Sequence, residues 1–233
     1  MNINKDKKQV SGMFDNIAGH YDFLNHFLSL SIDKKWRREA IDRLRDKHPQ
    51  YILDVATGTA DLAIKAAELK PESITGIDIS IKMLSIGEEK IREKKLNNII
   101  RLLEADCENL PFNDKSYDAV ICAFGVRNFE NLEKGLSEIY RVMKDDGKVV
   151  ILEFSRPRRF PFKQLYNFYF KNILPLIGRI ISKDVNAYKY LPETVYSFPV
   201  YNDFLKIMNK TGFIKTKFTA LTFGVATIYE AEK

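Results

Sequence analysis

The sequence predicts an α/β fold: a doubly wound, mostly parallel seven-stranded sheet with a C-terminal antiparallel hairpin. Three observations predict it. Apolar runs at 51–56, 74–78, 99–104, 117–122 and 147–154 alternate with helical patterns at 60–69, 80–95 and 131–143, and such alternation implies right-handed crossovers between parallel strands. The first run, Tyr51-Ile52-Leu53-Asp54-Val55, ends in the small-residue turn Ala56-Thr57-Gly58-Thr59-Ala60 and opens into a helical pattern. A buried parallel strand feeding a helix N-terminus reads this way. Two alternating runs, 213–220 and 222–231, close the chain around Leu221. They predict the hairpin at the sheet's edge.

Length and composition bound the reading. The chain has 233 residues, which suits one domain over 1–233 with a full core. Apolar content of 45% and charged content of 29% are those of a globular protein. The net charge is +6. The charges read as scattered, which favours a solvated surface over an anionic partner such as phospholipid or nucleic acid. Cys107 and Cys122 lack metal-ligand spacing, so a reducing compartment is expected, with no disulfide scaffold and no metal. The polar N-terminal residues do not read as a signal peptide, and no apolar run reaches the length of a spanning helix. A cytoplasmic protein is expected.

The elements follow in order. Residues 1–12 are expected to fray. Residues 13–46 read as helical, with Phe14, Ile17, Tyr21, Leu24, Phe27 and Leu28 on an apolar face and a second helix over 34–45. This segment is either a packing extension or an N-terminal cap over the site. Beyond the fifth strand, residues 156–198 break the alternation with four prolines and many aromatics. They read as a helical insertion or lid, with a helix over 162–182 bending near Pro175. A further helix is expected over 200–211.

The strand ends carry the chemistry. The first loop holds one glycine where a dinucleotide fingerprint wants three. A ligand without a pyrophosphate is less demanding, and S-adenosyl-L-methionine fits. Asp78 ends the second apolar run, where a carboxylate accepts both hydroxyls of a ribose. Asp54 is expected to face the cofactor's ammonium, with Gly58 and Thr59 along its amino-acid end. Asp106 follows the third strand, placed to accept from an adenine amino group while the backbone N–H of Cys107 meets a ring nitrogen. Met83 packs either on adenine or in the core.

Three acids at the ends of the first three strands, with a reversed terminal strand, resemble the Rossmann-like class I S-adenosylmethionine-dependent methyltransferases. Four further stretches narrow the resemblance: Met13–Asp22, Phe124–Phe129, Leu152–Pro157 and Tyr188–Pro199. Together with the first loop they resemble the quinone-biosynthesis C-methyltransferase family, over about residues 9–231. That resemblance implies C-methylation of demethylmenaquinol to menaquinol, or in some lineages of the benzoquinol precursor of ubiquinone. Three positions depart from the family pattern. Ala60 replaces a usual glycine, its methyl expected to crowd the ligand slightly. Ala123 stands where some members carry a cofactor-facing serine. Asp145-Asp146-Gly147 replaces a Pro-Gly-Gly turn, which should affect only that turn.

The resemblance also implies roles. Arg127, just past the fourth strand, is expected to hold the phenolate that develops on the ring. His20, Tyr21 and Asp22 are candidate bases or water-positioning groups. The substrate is expected to be a polyprenylated quinol with a bilayer-resident tail. The aromatic stretch 160–181 then lies at the membrane interface or serves as a buried lid helix. Peripheral contact at the inner face of the membrane and a homodimer are left open; nucleic acid is not expected. Three other readings compete: a methyltransferase on another small molecule or RNA, a nicotinamide-dependent oxidoreductase, and a non-catalytic S-adenosylmethionine-binding protein. Cofactor binding separates the oxidoreductase, and turnover separates the non-catalytic protein.

Overall fold

The computed structural model describes residues 5–29, 31–169, 172 and 185–233, with side chains 20, 23–28 and 185–189 outside the description. Helix α1 spans Lys7–Leu28 and α2 spans Ile32–Asp42. The fraying expected over 1–12 does not hold from Lys7 on, where the chain is helical. Asp6 is the reason: its Oδ1 accepts from the N–H groups of Lys8 and Gln9, at 3.1 and 3.2 Å, and caps the helix.

Seven strands follow: β1 (Tyr51–Val55), β2 (Ser73–Asp78), β3 (Ile100–Glu104), β4 (Tyr117–Ala123), β5 (Met143–Phe154), β6 (Ile214–Leu221) and β7 (Ala226–Glu232). Between them lie α3 (Asp61–Ala66), α4 (Ile81–Glu93), α5 (Leu132–Val142), α6 (Phe162–Phe168), α7 (Val185–Ser197) and α8 (Asn202–Thr211). The sheet order is β3-β2-β1-β4-β5-β7-β6. The first five strands are parallel, and β7 runs antiparallel between β5 and β6. Strand order reverses between β1 and β4, which opens a crevice beyond their carboxyl ends.

Three boundaries differ from the expectation. β5 begins directly after α5, because Met143 pairs with Tyr117 before the register shifts to Ala119 opposite Lys148. The terminal hairpin turns through Thr222–Gly224, with Phe223 at φ 58°, so β7 begins at Ala226. The helix expected over 162–182 is described only as α6; the bend at Pro175 and half of 160–181 lie outside the described residues. Among the described residues, no helix is long and apolar enough to cross a membrane.

Strand alternation sorts the core into two layers. Leu53, Val55, Val120, Cys122, Val149 and Ile151 pack with Leu136 and Ile139 of α5 and Phe204 and Met208 of α8. Ile52, Ile121 and Val150 face the other way, against Trp36, Ala40 and Ile41 of α2 and Ala63 of α3. Asp54 shares the parity of Ile52, so its side chain is directed to the α2–α3 side.

Candidate active site

A cavity of about 710 Å³, partly open to solvent, lies at the strand ends. Asp78, Ile79, Asp106, Cys107 and the Ala123–Gly125 turn form its floor. Lys7, Val10, Phe14 and Tyr21 of α1 form a wall. A second cavity of about 310 Å³ is lined by Arg37, Asp54, Thr57 and Thr59, and shares Tyr21, Ala56, Gly58 and Ala123 with the first. The two lie side by side across these four residues.

Asp78 lies on the floor of the larger cavity. Oδ2 accepts from Gly58 N and Oδ1 from Ser80 N, each at 2.9 Å. A carboxylate has about four acceptor positions, so acceptor capacity remains for a ligand. Burial pushes its pKa up, and these backbone bonds pull it partly back. Met83 follows the Ser80 cap of α4, is buried and lines the cavity.

Asp54 is fully buried. Its Oδ2 accepts from Thr57 Oγ1 at 2.6 Å, while Oδ1 has no hydrogen-bond partner among the described residues. Burial raises its pKa to about 7, against the pull of Thr57, the Ala63 backbone N–H and the Arg37 charge. Arg37, on α2, is buried and donates through Nη1 to Asp33. Its Nε likewise lacks a partner. An unsatisfied acceptor and an unsatisfied donor, on two residues that line the smaller cavity, suit a zwitterionic amino-acid group, since buried polar atoms normally find partners. Nothing in the local sequence around Arg37 announced this; only the Asp33–Arg37 spacing of one helical turn marked it.

At the other end, Asp106 is shared. Its Oδ2 accepts from Lys7 Nζ at 2.7 Å, and Oδ1 from Glu108 N at 2.9 Å. Lys7 also pairs with Glu108 at 3.0 Å, and these bonds raise its pKa against the burial that opposes them. An adenine amino group would share Asp106 with Lys7, a residue the sequence reading assigned to a frayed end. Cys107 lines the cavity, and burial pushes its thiol well up. Ala123 lines both cavities. Ala60 lines neither. A Cβ built on Gly87 of α4 would come within 3.2 Å of the Ala60 methyl, so that methyl points at α4 and does not crowd the cleft. Its cost lies in the backbone, at φ 64°, a region worth roughly 1–2 kcal/mol to a non-glycine residue.

The catalytic candidates separate. Tyr21 lines both cavities, and its ring stands edge-on to Phe14 at 5.9 Å. Asp22 accepts from Thr59 Oγ1 at 2.6 Å and from Lys90 at 2.9 Å, and lines neither cavity. The side chain of His20 lies outside the described residues. Arg127 does not reach the cleft as expected. It is buried, donates to Glu153 Oε1 at 2.8 Å and to the carbonyl of Phe124, and lies over the Phe154 ring. The next residue, Asn128, does line the large cavity, and its buried Oδ1 has no partner among the described residues.

Residues 1–233 match the family described as the ubiE/COQ5 methyltransferase family. A demethylmenaquinone methyltransferase from Bacteroides fragilis is 49% identical over 233 residues, covering 100% of this chain and 95% of that one. A ubiquinone/menaquinone biosynthesis C-methyltransferase UbiE from Geotalea daltonii is 46% identical over 228 residues, covering 97% of each. Among solved structures, a SAM-dependent methyltransferase from Thermotoga maritima superposes with a TM-score of 0.65 at 18% identity, covering 95% of this chain and 99% of that one. A Haemonchus contortus phosphoethanolamine N-methyltransferase 2 holding S-adenosylhomocysteine gives 0.59 at 18%, over 79% of this chain and 48% of that one. At such identity these two speak for the fold alone.

Proposed function

The chain belongs to the ubiE/COQ5 methyltransferase family, and on that footing we propose that it C-methylates demethylmenaquinol in menaquinone biosynthesis, using S-adenosylmethionine. The observation that carries the cofactor assignment is the unpartnered Asp54 Oδ1 and Arg37 Nε on residues of the smaller cavity, with Asp78 on the floor of the larger one. The pair suits an amino acid's ammonium and carboxylate, and Asp78 suits a ribose. A nicotinamide dinucleotide has no amino-acid end to satisfy them.

When bound, S-adenosylmethionine supplies an electrophilic methyl group. The chain's residues do the rest by binding and positioning. Asp78 holds the ribose hydroxyls. Asp106, shared with Lys7, takes the adenine amino group, and Met83 packs on the ring. Gly58, Thr59 and Ala123 line the path between. The helical cap, 13–46, supplies Tyr21 and the α1 wall that exclude water from the cleft. Asn128 Oδ1 accepts from a ring hydroxyl of the quinol and orients the ring. Arg127 acts one step back: its pair with Glu153 fixes the turn that presents Phe124 and Asn128. The insertion over 156–198 guides the isoprenoid tail, and the protein works at the inner face of the membrane, where such a substrate resides.

Methyl transfer from labelled S-adenosylmethionine to reduced demethylmenaquinone, run beside the oxidised quinone, tests this. Label in the quinol product alone is expected. Tight cofactor binding without label would overturn the acceptor assignment, and no cofactor binding would overturn the whole reading.

A further inference from the structure

The positive charge is not scattered as the sequence reading held. Residues 155–183 contain seven Lys or Arg and no Asp or Glu, and so account for the whole of the chain's +6 excess. The described part of this run also carries three of the five most exposed large apolar side chains among the described residues. Phe160 is 80% exposed, Leu165 61% and Phe168 59%. Phe223, 68% exposed at the tip of the β6–β7 turn, stacks on Phe162 with centroids 3.7 Å apart and planes 6° apart. Two segments 61 positions apart in the chain thus join in one apolar surface. Arg158, Arg159 and Lys163 are exposed within it, and none pairs with a carboxylate among the described residues.

We propose that this surface, built from α6, the turn before it and the Phe223 turn, docks on an anionic phospholipid bilayer. Exposed apolar side chains gathered in one place mark an interaction site. Cations interleaved with aromatics match an interface where rings enter the acyl boundary and cations meet phosphate. A second copy of the chain is the poorer occupant. Self-pairing through a two-fold axis would set the same unneutralised cations against each other. The opposite face of α6 leads inward: Tyr166 is buried, and Arg127 is among the charges that act on it. Arg127 neighbours Asn128, which lines the large cavity. A bilayer contact here sets the cleft beside the lipid. The choice of a bilayer as partner rests on the quinol reading, and the test separates the two.

The full chain is sedimented with vesicles of phosphatidylcholine alone or mixed with phosphatidylglycerol. Binding to the mixed vesicles only, weakened by salt, is expected. Substituting Arg158, Arg159 and Lys163 together by Gln lowers that partition about a hundredfold. The pair Phe160→Ser and Phe223→Ser lowers it about tenfold. Neither set alters the affinity for S-adenosylmethionine, whose cleft none of these residues lines. Equal partition of the parent chain and both variants overturns the proposal. So does a dimer in light scattering that Phe160→Ser and Phe223→Ser dissolve, since a second copy then covers the surface. Vesicle binding without methylation of any quinol leaves the docking in place and overturns only the substrate reading.

Discussion

Arg127 Nη1 donates to Glu153 Oε1 across 2.8 Å, and neither side chain is open to solvent. The pair ties the turn after β4 to the end of β5, and Glu153 Oε2 also accepts from Arg127 N at 3.3 Å. Removing one member leaves the other charged and buried. Arg127→Ala is therefore expected to lose about 3–5 kcal/mol of stability in denaturant melts. Turnover lost at unchanged stability would instead restore Arg127 to direct contact with substrate.

Asp54 makes cofactor binding depend on pH. Its folded pKa of about 7 lies above its ordinary value of 3.8. For a raised folded pKa, the stability contribution is complete below the ordinary value and lost as pH rises through the folded one. Stability of the free chain should thus fall between about pH 4 and pH 7 on this account. A cationic ligand needs the carboxylate, so S-adenosylmethionine affinity should weaken about tenfold per pH unit below 7. Thermal melts and titrations across pH 5–8 check both signs. Asp54→Asn should flatten both profiles.

Asp78→Ala should weaken S-adenosylmethionine binding by about a hundredfold while the chain stays folded, since hydrogen bonds to charged groups contribute about 1.5–3 kcal/mol. Calorimetric titration beside a thermal melt checks it. Unchanged affinity would refute the ribose role.

Gly87→Ala sets two effects against each other. Alanine favours the interior of α4 by about 1 kcal/mol. The new methyl would lie 2.8 Å from Leu102 Cδ1 and 3.3 Å from the Thr59 carbonyl carbon. Leu102 can shift, but the Thr59 backbone forms the cleft. Overpacking of about 1–3 kcal/mol should win, with a lower melting temperature and weaker cofactor binding. A rise in stability at unchanged affinity would show that the loop yields freely.

The sequence exposed the sheet because its strands are apolar runs bounded by turns, and Asp54 and Asp78 sit where such runs end. Neither Arg37 nor Lys7 could be read that way. Both lie before the first strand, and their partners across the cleft are set by how α1 and α2 dock, which no local pattern records. Arg127 was misplaced for the same reason. Its partner Glu153 is 26 residues away on β5, and only the pairing of β4 with β5 turns the guanidinium inward. The surface patch was half visible: the aromatic run was plain, whereas Phe223 joins it only through the hairpin turn.

Three polar ties of α1 reach far along the chain. Asp15 accepts from Ser80 Oγ, Asp22 accepts from Lys90, and Lys7 donates to Asp106, spans of 65, 68 and 99 residues. A helix that precedes these partners in the chain thus meets them only after β2, α4 and the loop beyond β3 exist. Closing spans of that length carries an entropic cost that local helix formation does not repay. A segment made before its partners is thereby among the last to find its place, and the cleft is complete only once α1 returns to it.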